Sequence, residues 1–161
     1  FQHFGVADLP EREDKGVTLR LIAGSAFGLT SPVKTFSPIF YADARFEAGG
    51  SFTVTAEHEE RALFIVEGEL QIGGDQGVET HGAGAMLFLE KGEIVTLFAD
   101  GAARVMLLGG APLDGPRHIW WNFVSSSKNR IEVAKSDWRS GLFGKIPGDD
   151  QEFIPLPEDR R

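Results

Sequence analysis

From Phe40 to Phe46 the chain alternates strictly, with Phe40, Ala42, Ala44 and Phe46 apolar and Tyr41, Asp43 and Arg45 between them. Phe52, Val54 and Ala56 alternate with Ser51, Thr53 and Thr55 in the same way. A period of two is that of a strand with one face in a core and the other toward water, so both segments are predicted to line one core. The runs Ala62 to Val66 and Met86 to Leu89 are apolar at every position. Strands of that kind need cover on both faces, the core on one side and a second layer, such as another domain, on the other. Twenty glycines and eight prolines punctuate the chain at short intervals, which makes the strands short and numerous. The fold class this predicts is all-β, a barrel or sandwich.

The pattern changes after Asn122. Ser125, Ser126 and Ser127 offer N-caps, Ile131, Ala134, Lys135 and Trp138 recur at helical spacing, and Gly141 follows. These signals predict one helix from about Ser127 to Ser140, with Ile131, Ala134 and Trp138 on its buried face and Arg130, Glu132 and Asp137 toward solvent. Pro147-Gly148-Asp149-Asp150 reads as a turn, and Phe153 to Pro157 as an extended segment whose prolines keep it out of a central strand. The expected division is a β-barrel over 1–124 and a helix with an extended tail over 125–161, packing on the barrel or on a further domain.

At 161 residues, 42% hydrophobic and 25% charged, the composition is that of an ordinary globular domain. Sixteen basic against 24 acidic side chains give a net charge of −8, which argues against direct binding of nucleic acid or anionic lipid. The absence of cysteine removes disulfides, thiolate metal sites and Cys nucleophiles. No apolar run has the roughly 20 residues of a membrane span and no signal-peptide pattern opens the chain, so the expected location is cytoplasmic. A chain that opens on Phe1-Gln2-His3-Phe4 reads as a piece of something longer.

Candidate chemistry is sparse. There is no Gly-x-Ser-x-Gly elbow and no Walker loop, and Gly24 to Gly28 lacks the spacing of a phosphate cradle. The thirteen phenylalanines read as barrel filling rather than as an aromatic pocket. His3, His81 and His118 have no ligand spacing, and Glu57, Glu59 and Glu60 read as a solvated turn.

The segments GSFTVTAEHEERALFIVEG (50–68) and GAMLFLEKGEIVTLFA (84–99) resemble the two motifs of the cupin superfamily. That resemblance implies a double-stranded β-helix, or jelly roll, with one C-terminal helix. In metal-binding cupins the first motif carries His-x-His and a Glu between two glycines. Here Gly50 and Gly68 match, Ala56 and His58 take the His places, and the Glu place falls at Arg61 or Ala62. The second motif matches at Gly84 and at Glu90-Lys91-Gly92, with Val95 where its His would stand. Only His58, a vestigial metal position, remains of four ligands, and one imidazole does not hold a divalent iron.

Further along, Gly109-Gly110-Ala111-Pro112, then Pro116-Arg117-His118-Ile119-Trp120-Trp121-Asn122-Phe123, then Asp137-Trp138 and Phe143-Gly144-Lys145 resemble the C-terminal end of the pirin family. Gly16 to Gly28, Ser37 to Tyr41 and Glu67-Gly68 extend the resemblance over nearly the whole chain. Pirins resemble two cupins in tandem, with iron in the N-terminal one. The resemblance therefore implies a metal-free C-terminal cupin with no catalytic residue and no cofactor of its own. Its partner would be the N-terminal cupin of the same protein or a second copy of the chain. Some pirin-family proteins are quercetin 2,3-dioxygenases, so two alternatives stand: a dioxygenase-like enzyme with a site around His58, and a module that binds a small ligand or protein without turnover. Trp120 and Trp121 are expected to serve in packing, as anchors for the final helix or as contacts to the N-terminal half, rather than at a ligand site.

Overall fold

A computed structural model describes residues 2–74, 77–149 and 151–157. Contacts divide the chain into two compact units, residues 1–112 and 113–161.

The first unit is built from eleven strands: β1 (Glu11–Asp14), β2 (Val17–Ala26), β3 (Leu29–Thr30), β4 (Ile39–Phe46), β5 (Ser51–Val54), β6 (Glu60–Glu67), β7 (Glu69–Gly74), β8 (Gly77–Gly82), β9 (Met86–Leu89), β10 (Val95–Phe98) and β11 (Ala103–Gly110). One sheet runs β1-β2-β4-β11-β6-β9, with β3 paired to β2, and a second runs β5-β10-β7-β8. Every pairing is antiparallel. Strands distant in sequence lie side by side because the chain passes between the two sheets, as in a jelly roll.

Period-two alternation decides what fills the space between the sheets. Phe40, Ala42, Ala44 and Phe46 are buried, and so are Phe52 and Val54 from the facing sheet, as their spacing predicts. Leu19, Leu21, Leu63, Ile65, Leu97 and Leu107 complete a core from which water is excluded. Burying a side chain of this size contributes about 1.5–3 kcal/mol. Asp43 departs from the pattern: it sits on the polar row of β4 yet is buried, because Arg104 grips its carboxylate through Nε and Nη2 at 2.9 and 3.0 Å.

Two hairpin loops are two residues long, Lys15-Gly16 and Phe27-Gly28, and both residues of each have positive φ, the backbone twist that suits a tight hairpin. The second loop throws the Phe27 ring edge-on against Phe40 and Phe52, at centroid distances of 5.4 and 5.1 Å, so one ring bridges the two sheets. Gly68, at φ +78 between β6 and β7, is held to glycine twice over. A Cβ there would collide with the Ala102 carbonyl oxygen.

The second unit contains the hairpin β12 (His118–Trp120) and β13 (Phe123–Ser125) and the helix α1 (Lys128–Arg139). The helix lies within the predicted span. Ile131 is buried, Ala134 and Trp138 are half-buried, Arg130 and Glu132 are exposed, and Asp137 is half-buried rather than solvent-facing. Ser127 takes the N-cap position, but its hydroxyl makes no capping bond. The C-terminus closes on Gly141, whose N–H donates to the Trp138 carbonyl while that of Leu142 donates to Asp137, satisfying carbonyls that a helix end otherwise leaves open. The predicted turn at 147–149 is closed by a bridge between Ile146 and Asp149; its fourth residue, Asp150, lies outside the described residues. No helix among the described residues is long and apolar enough to cross a membrane.

This unit has an aromatic core. Trp138 packs edge-on against Trp121 at 5.2 Å, meets Phe143 at 5.4 Å and stacks on Phe153 at 5.8 Å, and its indole N–H donates to the Ile154 carbonyl at 2.8 Å. The buried ammonium of Lys135 lies 4.4 Å from the Trp120 ring and 3.2 Å from Glu132, so its charge is met by a π-face and a carboxylate. Trp121 holds φ at +52, unusual for a bulky side chain, in the two-residue loop of the hairpin. Trp120 and Trp121 thus anchor the helix as expected. Trp138→Ala is expected to destabilise the second unit by about 3 kcal/mol, the low end of the range for a large core aromatic because the ring is only half-buried. Val133→Ala, at an exposed helix position, should change it by less than about 0.5 kcal/mol. Denaturant titration followed by near-UV circular dichroism checks both.

Candidate functional site

The motif positions converge at one end of the first unit, the mouth of the barrel. The turn from β5 into β6 is pinned by Glu57, whose Oε1 accepts from the Phe27 backbone N–H at 2.9 Å and from the Thr55 hydroxyl at 2.8 Å. Glu57 is thereby committed to the turn. His58 follows, its ring tilted against Phe40 at 4.9 Å and its Nε2 2.8 Å from the Ser25 carbonyl oxygen. A carbonyl only accepts, so Nε2 carries the proton and offers no lone pair.

Strand alternation decides which residue holds the carboxylate place of the motif. Arg61 shares the inward row of β6 with Leu63 and Ile65, whereas Ala62 pairs outward with Leu108 and Phe88. Arg61 is 4% exposed. Its Nη1 donates to the carbonyls of Thr55 at 3.0 Å and Glu93 at 2.6 Å, and its Nη2 to that of Glu90 at 2.6 Å. The guanidinium therefore ties the 55–59 turn to the loop that leads into β10. Its Nε is buried without a partner. Val95 is buried in the core cluster and Ala56 is half-buried, and neither has a donor atom.

Tested against a divalent metal, this set does not fit. A cation would have to share this end with a buried guanidinium, with the one ring nitrogen of His58 that does not face the Ser25 carbonyl as its single imidazole ligand. Among the described residues no group of three or more His, Asp or Glu is placed to hold a metal ion. His81 is engaged with Glu79 at 3.1 Å. What the described residues at this end do is cross-link the turn after β5 to the Phe27 loop and to the loop before β10.

A family model for the Pirin C-terminal cupin domain matches residues 41–144. The chain belongs to the pirin family. A Pirin-like protein of Caulobacter vibrioides is 48% identical over 157 residues, covering 97% of this pirin domain and 52% of the relative. A Pirin-like protein of Solanum lycopersicum is 31% identical over 140 residues, covering 85% of this chain and 48% of the relative. Among solved structures, a quercetin 2,3-dioxygenase from Acinetobacter baumannii matches with a TM-score of 0.78 at 25% identity, over 96% of this chain and 52% of that one. The structural match agrees with the cupin jelly roll that the motifs implied. The chain spans about half the length of the curated relatives it matches.

The role of Arg61 was not visible in the motif comparison, where it stood only as a missing carboxylate. The available signal was its place two residues before Leu63 on an inward row, where a charge must find partners. Arg61→Met, which keeps volume but removes every donor, is expected to lower stability by about 3 kcal/mol or more, since bonds from a charged donor contribute about 1.5–3 kcal/mol each. Arg61→Lys should recover part of that loss. Chemical denaturation measures both, and a change under about 0.5 kcal/mol for the Met variant would show that Arg61 is mere filler.

Proposed function

We propose that this chain is the metal-free C-terminal cupin of a two-cupin pirin-like protein, with a structural and interdomain role beside an N-terminal cupin that holds a divalent metal, iron in the first instance. The observation that carries this reading is the buried Arg61 bonded to three carbonyls at the carboxylate place, with Val95 and Ala56 at two other ligand places. The helix and tail over 125–161 serve the same contact. The net charge of −8 supports a protein that acts away from nucleic acid and membrane surfaces, in the cytoplasm.

A second reading concerns the parent protein rather than this half. Its likeness to the Acinetobacter baumannii quercetin 2,3-dioxygenase supports a dioxygenase-like activity carried by the N-terminal cupin. Elemental analysis tests the assignment. The 161-residue chain is expected to hold well under about 0.1 equivalent of iron, nickel, manganese or copper, and the full-length parent about one. Stoichiometric metal in this chain, lost on His58→Ala, would restore the reading of an enzyme centred on His58.

A further inference from the structure

We propose that the gap between the free edges of β8 and β9 binds a small organic cation, a primary amine carried on a compact apolar body. The inference goes beyond the interdomain reading above and does not rest on it. β8 ends the second sheet and β9 ends the first, so each has a neighbour on one side only. Register places Gly77, Glu79 and His81 of β8 opposite Gly74, Ile72 and Leu70 of β7, and residues directly opposite share a face. Leu70 is fully buried, so that face is the inward one. The pattern of β8 is therefore inverted. Val78 points outward and is 69% exposed, while the row that turns inward carries a carboxylate and an imidazole.

That row borders a cavity of about 170 Å³. Ile72, Leu87 and Leu89 pack against the core yet are only half-buried, and with Val95 they form the apolar wall of the cavity. An apolar cavity of about 150 Å³ takes benzene, so this one has room for a single ring. The polar groups are of one kind. Glu79 and His81 stand at the rim, 3.1 Å apart. Glu93 reaches in from the loop before β10, and its carboxylate lies over Gly74, where a Cβ would collide with Oε1. Its Oε2 accepts from the Glu90 N–H at 3.3 Å, whereas Oε1 has no hydrogen-bond partner among the described residues. No Lys or Arg is among the described residues that line the cavity. A cleft that carries one sign of charge beside low-dielectric walls concentrates the opposite charge. An ammonium at Glu93 Oε1 gains a charge-assisted bond there, and its apolar body covers Ile72 and Leu87.

Titration of the chain with benzylamine, read in the proton–carbon methyl signals of Ile72, Leu87, Leu89 and Val95, tests this. Those signals are expected to shift together and to saturate, with half-saturation at about 1 mM or below. Benzyl alcohol, which has the body without the charge, should bind at least about tenfold more weakly, and benzoate should leave the signals unmoved. Glu93→Gln should weaken benzylamine about tenfold while the methyl signals of Leu19 and Leu21 on β2 keep their positions, since Gln still accepts from the Glu90 N–H. The comparison of the three ligands needs no variant, so it decides even where Glu93→Gln fails to fold. No saturation of benzylamine below about 20 mM would show that the inward Glu79 and His81 only guard the edge against pairing with another chain, and would overturn the site. Equal binding of benzyl alcohol or of benzoate would overturn the choice of a cation.

Discussion

A cation placed on the inward row of a barrel strand must either be neutralised, be expelled or be given oxygen atoms to hold. Arg61 takes the third course. Three main-chain carbonyls, from Thr55, Glu90 and Glu93, surround its guanidinium, and no carboxylate is needed. The cost of burying the charge is offset by charge-assisted bonds to dipoles that a closing loop would otherwise leave unsatisfied. Much else at that end follows from this one arrangement. The turn after β5 is held in place, Glu57 is freed to cap the Phe27 loop, and His58 lies flat on Phe40 with its proton directed at Ser25. Arg61 thus ties the turn after β5 to the loop before β10 from within.

The motifs separate cleanly into two kinds of position. Gly68 is required by the backbone, since its φ is positive and a Cβ would strike Ala102, and Gly50 is similarly close to the Gly16 carbonyl oxygen. These needs belong to the jelly roll and persist whatever the barrel does. Ala56, Arg61 and Val95 stand at places whose chemistry matters only if a metal is bound. The frame alone accounts for the match to the fold, whatever stands at the ligand places.

The strands were legible because alternation is a local signal: Phe40 to Phe46 and Phe52 to Val54 each announce a buried face without reference to any partner. The helix was legible for the same reason at a different period, with Ile131 and Trp138 on one side. Sheet order was not, since nothing in β4 says that β11 lies beside it more than 50 residues later in the chain. At the site, the sequence alone shows that Ala56 and Val95 stand at two ligand places of the motifs. The use made of Arg61 could not be read there, because it depends on carbonyls from two loops whose approach is a tertiary event. Asp43 is a further case: it counted as solvent-facing until the fold brought Arg104 alongside it. The uniformly apolar run at 62–66 was expected to be covered on both faces; Ala62, Leu63 and Ile65 are buried, and Phe64 is 37% exposed.

All three tryptophans belong to the second unit, in the cluster around Trp138, while the first unit has none and carries the only tyrosine. The two units are therefore optically distinct without any label. Indole emission arises in the hairpin and helix, and the barrel, lit only by Tyr41 and its phenylalanines, stays dark at the wavelengths that excite tryptophan selectively. Because the Trp138 N–H is bonded to Ile154, release of the tail alters the polarity around an indole. The chain thus contains its own spectroscopic reporter, seated in the unit that follows the barrel.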